Sequence, residues 1–184
     1  VFLFVILFTL LPEQLFVVDA SAERTYKVNI SREDLRLQVD DIGLFARNMP
    51  GVVGVTPLEN NRYLYLTEKD LPMAGTMRTE FLIEKSVVGD SVTWYRSTRI
   101  DDPNYMSCKV VIRTVDERSS SITVALRIRL ARENASDVHW MAPLLGEQFI
   151  SDRMTGDLED MLSAFILKSN EELYARQRVL GAAQ

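Results

Sequence analysis

Side chains able to do chemistry are sparse in this sequence. His139 is the only histidine and Cys108 the only cysteine among 184 residues, so neither an imidazole cluster nor a cysteine cluster for a metal is available within the chain. A nucleophilic cysteine needs a base, and none stands at a recognisable spacing from Cys108. Its setting among Met106, Val110 and Ile112 is that of a small apolar filler. His139 reads as a structural or surface residue. Asp40 and Asp41 form an adjacent acid pair, but neighbouring helical positions point about 100° apart, which favours a solvated face over shared acid–base work. Gly51-Val52-Val53-Gly54 lacks the glycine pattern that presents several backbone N–H groups to a pyrophosphate. No cofactor, metal or catalytic constellation is therefore expected. Three residues remain as speculative proton movers: Arg96, which stays protonated; Tyr95, which would need activation; and Glu80, which strand alternation turns outward.

The elements that would position these residues follow from periodicity. Thr25–Ile30 reads as a first strand. Ser31-Arg32-Glu33-Asp34 then resembles a capping box, with Asp34 in place of the usual Glu. Leu35, Val39, Ile42 and Phe45 recur at helical spacing until Pro50-Gly51, giving two short helices. Six strands are expected next, the first two joined at Glu59-Asn60-Asn61, where the asparagines tolerate turn conformations. Met77, Thr79, Phe81 and Ile83 share one face of the third of these. In the fourth, Val92, Trp94 and Arg96 alternate with Thr93, Tyr95 and Ser97, and either set can face inward. A buried guanidinium needs a partner, so solvent, an internal ion pair and a ligand head group are the environments open to Arg96. Met106, Cys108, Val110 and Ile112 line one face of the fifth. Ile122, Val124, Leu126, Ile128 and Leu130 make the clearest alternation, in the last. One covered face and one solvated face imply an antiparallel sheet.

The cover is a long helix predicted over Glu147–Gln177, with Ile150, Met154, Leu158, Met161 and Phe165 as its stripe. Gly156 interrupts it, either as an exposed turn or to admit a close backbone or ligand. Trp140, just before the helix, is expected to pack beneath it or to close the mouth of a cavity.

The net charge of −5 disfavours nucleic acid as a partner. Arg127, Arg129 and Arg132 read as the solvated side of a strand, followed at once by Glu133 and Asp137. Val1–Leu11 is uncharged and too short to cross a hydrocarbon core of roughly 30 Å. With the small residues of Ala20-Ser21-Ala22 it reads as a secretory signal over 1–22 cut before Glu23, leaving one domain over 23–184. The expected location is exported, periplasmic or secreted, or membrane-anchored if the signal stays uncut. Asn134-Ala135-Ser136 is a glycosylation sequon, meaningful only in a host that glycosylates exports.

The order of elements and several local sequences resemble the START/Bet v 1-like superfamily, the helix-grip or SRPBCC fold, and especially its polyketide cyclase/dehydrase and lipid-transport branch. The resemblance is carried by Tyr26-Lys27-Val28-Asn29-Ile30-Ser31, by Val39-Asp40-Asp41 through Asn48-Met49-Pro50-Gly51-Val52, by the serial strands to Leu130, and by the final helix to Glu171-Glu172-Leu173. It implies an α+β fold in which a seven-stranded curved antiparallel sheet wraps a long C-terminal helix, with two short helices after the first strand. It also implies noncatalytic binding, carriage or sensing of a small apolar molecule or lipid between sheet and helix. Met77, Phe81, Trp94, Arg96, Met106, Ile112, Leu126, Met154, Leu158 and Met161 are the candidate ligand-binding residues, and transient membrane contact is a secondary expectation. A cyclase/dehydrase-like enzyme and a structural or protein-interaction module are the alternatives.

Overall fold

A computed structural model describes residues 15–71, 75–89 and 91–181; side chains at 44, 45, 71, 75, 172–174 and 176–181 are not included. The apolar run Val1–Leu11 lies outside the described residues. Seven strands, β1 (Phe16–Val28), β2 (Val52–Pro57), β3 (Arg62–Leu71), β4 (Gly75–Val88), β5 (Val92–Ser97), β6 (Asn104–Asp116) and β7 (Ser119–Arg132), form one sheet. Its order is β1-β7-β6-β5-β4-β3-β2, with every neighbouring pair antiparallel. Helices α1 (Arg32–Asp40) and α2 (Ile42–Asn48) follow β1, and a 3-10 turn over Ala135–Asp137 leads to α3 (Ala142–Gly181). This is the expected α+β helix-grip arrangement.

Local chemistry explains the punctuation. Ser31 caps α1, its Oγ accepting from the Asp34 N–H at 3.2 Å and donating to the Asp34 carboxylate at 2.9 Å. Asn60 and Asn61 adopt φ of 60° and 56° in the β2–β3 turn, the left-handed conformation that asparagine tolerates best after glycine. Gly51, at φ 79°, makes the turn from α2 into β2, and its carbonyl accepts the Glu68 N–H at 2.8 Å. The turn docks that corner onto β3.

Three expectations need correction. The first strand begins at Phe16, well before Thr25, because Val18, Ala20 and Ala22 alternate with Asp19, Ser21 and Glu23. Val18 is 0% and Ala20 2% exposed, and Phe16–Ala22 pairs in register with Arg132–Leu126. The expected cut between Ala22 and Glu23 therefore falls inside β1. Ala20 and Ala22 have a packing reason to be small: among the strands, it is β1 that the α3 backbone approaches most closely. Next, β5 turns Thr93, Tyr95 and Ser97 inward, which leaves Trp94 half-buried on the outer face and Arg96 exposed there. Lys109 lies over the Trp94 ring, 5.2 Å from its centroid, and Arg96 is in register opposite Glu84. Finally, α3 starts at Ala142, ahead of Glu147, with a break at Gly146, where φ is 77°. Gly156 is exposed, and a Cβ built there meets nothing within 4 Å, so it marks no close approach.

The interior has two parts. A satellite cluster of Val18, Val138, Ala142 and Ile150 joins the start of β1 to the start of α3. The larger core runs from α1 and α2 across the sheet to Leu158, Leu162 and Phe165.

Candidate functional site

The cavity forms where the helix departs from the sheet. Along β1 the two are fastened: Glu147 Oε1 accepts the Val17 N–H at 2.7 Å, Ser151 Oγ accepts the Asp19 N–H at 3.2 Å, and Arg24 pairs with Glu159 at 3.0 Å. Across the sheet the ties are fewer. Lys69 of β3 pairs with Asp157, and Lys168 Nζ donates to the Arg47 carbonyl at 2.8 Å. Between these two sides lies a cavity under Met161.

The α2–β2 corner supplies Met49, Pro50 and Val52; the sheet supplies Tyr65 and Thr67 from β3, Tyr95 from β5, Met106 and Cys108 from β6, and Leu126 from β7. Space outside the atoms amounts to about 380 Å³, including the part open to solvent, while the centres of water-sized molecules have only about 30 Å³. That is room for roughly two waters, at 10–15 Å³ each. The walls are adaptable, however, because Met49, Met106 and Met161 are unbranched and repack easily.

Among the described residues the lining carries no carboxylate, imidazole, ammonium or guanidinium. Its polar groups are hydroxyls and one thiol. Thr67 Oγ1 donates to the Thr79 carbonyl at 3.2 Å, and Tyr95 Oη donates to the Val39 carbonyl, locking α1 onto β5. Tyr65 differs: its ring is buried, while its hydroxyl makes no hydrogen bond among the described residues and, not being one of the fully enclosed oxygens, opens onto the cavity. Burial raises the pKa of both tyrosines above the normal tyrosine range, and it pushes the Cys108 thiol up to about 12. At neutral pH all three keep their protons. A thiol so held is a poor nucleophile.

Of the expected ligand-binding residues, Met106, Leu126 and Met161 line the cavity. Phe81, Ile112 and Leu158 are buried in the same core, and Met77 and Met154 pack against it, without forming the wall. Trp94 and Arg96 are not brought to the cavity, for the alternation reason given above. Tyr65 was missed although a signal existed: Tyr63, Tyr65 and Thr67 share one face by period two, in a strand expected to matter only as a sheet edge. Met49 and Pro50 carried no periodic signal, since a turn places them. Of the proton-moving candidates, Glu80 is exposed, Arg96 lies on the outer face, and Tyr95 is held by Val39. His139 accepts the Met141 N–H through Nδ1 at 3.1 Å and stacks on Trp140, which is 46% exposed. That Trp is not a buried pillar of the helix.

Sheet order, the enclosed helix and a cavity between them define the helix-grip fold of START/Bet v 1-like (SRPBCC) proteins. No protein-family profile and no curated protein sequence matches the chain. Solved structures do match. A conserved protein from Geobacillus kaustophilus is similar with a TM-score of 0.58 and 10% identity, covering 86% of this chain and 96% of that one. A START superfamily protein from Mycobacterium smegmatis gives 0.57 and 11%, covering 83% and 98%. The Zhui aromatase/cyclase from Streptomyces sp. R1128 gives 0.56 and 15%, covering 88% and 96%. At such identities the likeness concerns the fold.

Proposed function

We propose that the protein is a noncatalytic carrier or sensor of a small apolar molecule, held between the sheet and α3. The observation that carries this reading is the cavity itself: apolar, walled by methionines from the α2–β2 turn, β6 and α3, and free of charged side chains among the described residues. Ligand sites for small molecules commonly measure about 300–1,000 Å³, so the present space is a contracted form that a ligand would widen by moving methionine side chains. An aromatase/cyclase shares the fold, but the cavity here offers no group that titrates near neutral pH, which favours binding over proton transfer. Native mass spectrometry of protein extracted mildly from its source organism tests the proposal. A retained lipid or other apolar adduct, lost on Met161→Trp, is the expected result. A clean apo mass, together with no thermal shift on adding apolar compounds, would leave a structural or interaction role.

The location proposed with this function is exported, periplasmic or secreted, with membrane attachment where the N-terminal segment stays uncut. Because Phe16–Ala22 is built into the sheet, a leader that stays attached agrees with the fold better than one cut after Ala22. Among the described residues no helix is long and apolar enough to cross a membrane, so the anchor rests on the N-terminal run alone. Fractionation tests it: recovery of intact chain in the membrane pellet is expected, and a soluble chain beginning at Glu23 would overturn it.

A further inference from the structure

Tyr65 presents a hydroxyl to the cavity from a buried ring. A polar group removed from water without a hydrogen bond is costly, and most buried tyrosines find a partner. Tyr95, on the same cavity wall, does so through Val39. Tyr65 buries its ring but not its oxygen: the hydroxyl has no such partner among the described residues and is not one of the fully enclosed oxygens, so it opens onto the cavity. Replacement by phenylalanine would keep the packing of the ring with almost no change in shape, so packing alone does not account for the hydroxyl. The nearby Cys108 adds a second, weaker donor on the same wall. Thr67 and Tyr95 already donate to backbone carbonyls. The wall thus offers unused donors in an apolar surround, with no ion to meet a charged ligand.

We infer that Tyr65 is the polar anchor of the cavity, and that the ligand is apolar except for a hydrogen-bond-accepting oxygen, such as a ketone, ester or quinone carbonyl, which receives the Tyr65 O–H. This rests on the ligand-binding reading above and adds the chemical class and the orientation. Because burial holds the phenol proton in place, the donor is present throughout the physiological pH range. A fatty acid bound as its carboxylate is the wrong ligand: nothing in the lining would neutralise it.

The test uses two planar isosteres that would enter as the methionine side chains move aside, 4′-fluoroacetophenone and 4-fluoro-α-methylstyrene, titrated into the full chain and followed by 19F NMR. Both should bind the wild type. Tyr65→Phe should weaken the ketone about tenfold, the loss expected when a buried acceptor is left unpaired, and leave the olefin within about twofold. The infrared carbonyl stretch of 13C=O-labelled ketone bound to wild-type protein gives a second measure that needs no variant; it should lie below its value in hexane. If the variant weakens both probes alike or neither, or if the bound carbonyl absorbs as in hexane, the anchor is overturned while the cavity reading stands. If neither probe binds the wild type, both fall.

Discussion

Helix α3 meets the sheet in two ways. At its start, Ile150 and Ala142 pack with Val18 and Val138 into a closed cluster, and hydrogen bonds from β1 reach Glu147 and Ser151. Three turns on, Met161 faces a gap bounded by Tyr65, Met106 and Leu126. The same helix is a structural strut at one end and a cavity roof further along. What separates the two is side-chain type: β-branched and small residues lock the first region, while methionines and an unpaired hydroxyl mark the second.

Removing the strut should have the largest effect. A chain beginning at Glu23 loses Phe16–Ala22, which pair with Leu126–Arg132, and it should show no cooperative transition by circular dichroism. A sharp melt close to that of the longer chain would show that the first region is dispensable. Neighbouring residues of α3 then divide core from roof. Leu162 is fully buried, so Leu162→Ala should cost about 2–5 kcal/mol in urea unfolding. Met161→Ala, beside space that already exists, should cost less than about 1.5 kcal/mol; equal losses would mean that no functional cavity lies there.

The two cavity tyrosines sharpen the contrast. Tyr95→Phe abandons the buried Val39 carbonyl and should destabilise by about 1–3 kcal/mol, whereas Tyr65→Phe should change stability by less than about 0.5 kcal/mol because no protein partner is lost. A smaller gain is expected at Gly156, exposed in mid-helix with room for a methyl group: Gly156→Ala should raise the melting temperature by about 2–4 °C, corresponding to roughly 1 kcal/mol. An unchanged or lower value would point to a role for the glycine that packing does not show.

A further effect is one of pH. Cys108 ionises at about 9 when unfolded and at about 12 when buried. Above pH 9 the unfolded chain therefore binds fewer protons than the folded one, and stability declines as pH rises toward 12. Urea midpoints at pH 8 and pH 10 should differ in that direction, with a shallower slope in Cys108→Ala. An identical slope in the variant would assign the loss to the buried tyrosines, which shift the same way.

Much of this fold could be read from the sequence wherever one face is apolar and the other charged. Ile122 to Leu130 disclosed β7, and Ile150 to Phe165 disclosed the helical cover, because in each a single period separates inside from outside. β5 was ambiguous for a physical reason: Trp94 and Tyr95 are both large and amphipathic, and only the tertiary placement of α1, whose Val39 carbonyl receives Tyr95, decides between them. The start of β1 misled because Ala20-Ser21-Ala22 satisfies two demands at once, small side chains for a peptidase and small side chains under a close helix. The cavity wall was the least legible part. Met49 and Pro50 arrive by way of a left-handed Gly51, and Tyr65 is distinguished by a partner it lacks, which no spacing rule records.

A rod fastened along one side and lightly tethered on the other is a lever, and α3 is mounted in that way. Its polar ties to β1 outnumber those to β3 and α2 among the described residues, and Met161 lies between the two sets. The two catches on the β3 and α2 side are the ammonium groups of Lys69 and Lys168. The Lys69–Asp157 pair is partly exposed and open to screening by salt, so this tie weakens with ionic strength even though the cavity beside it carries no charge among the described residues.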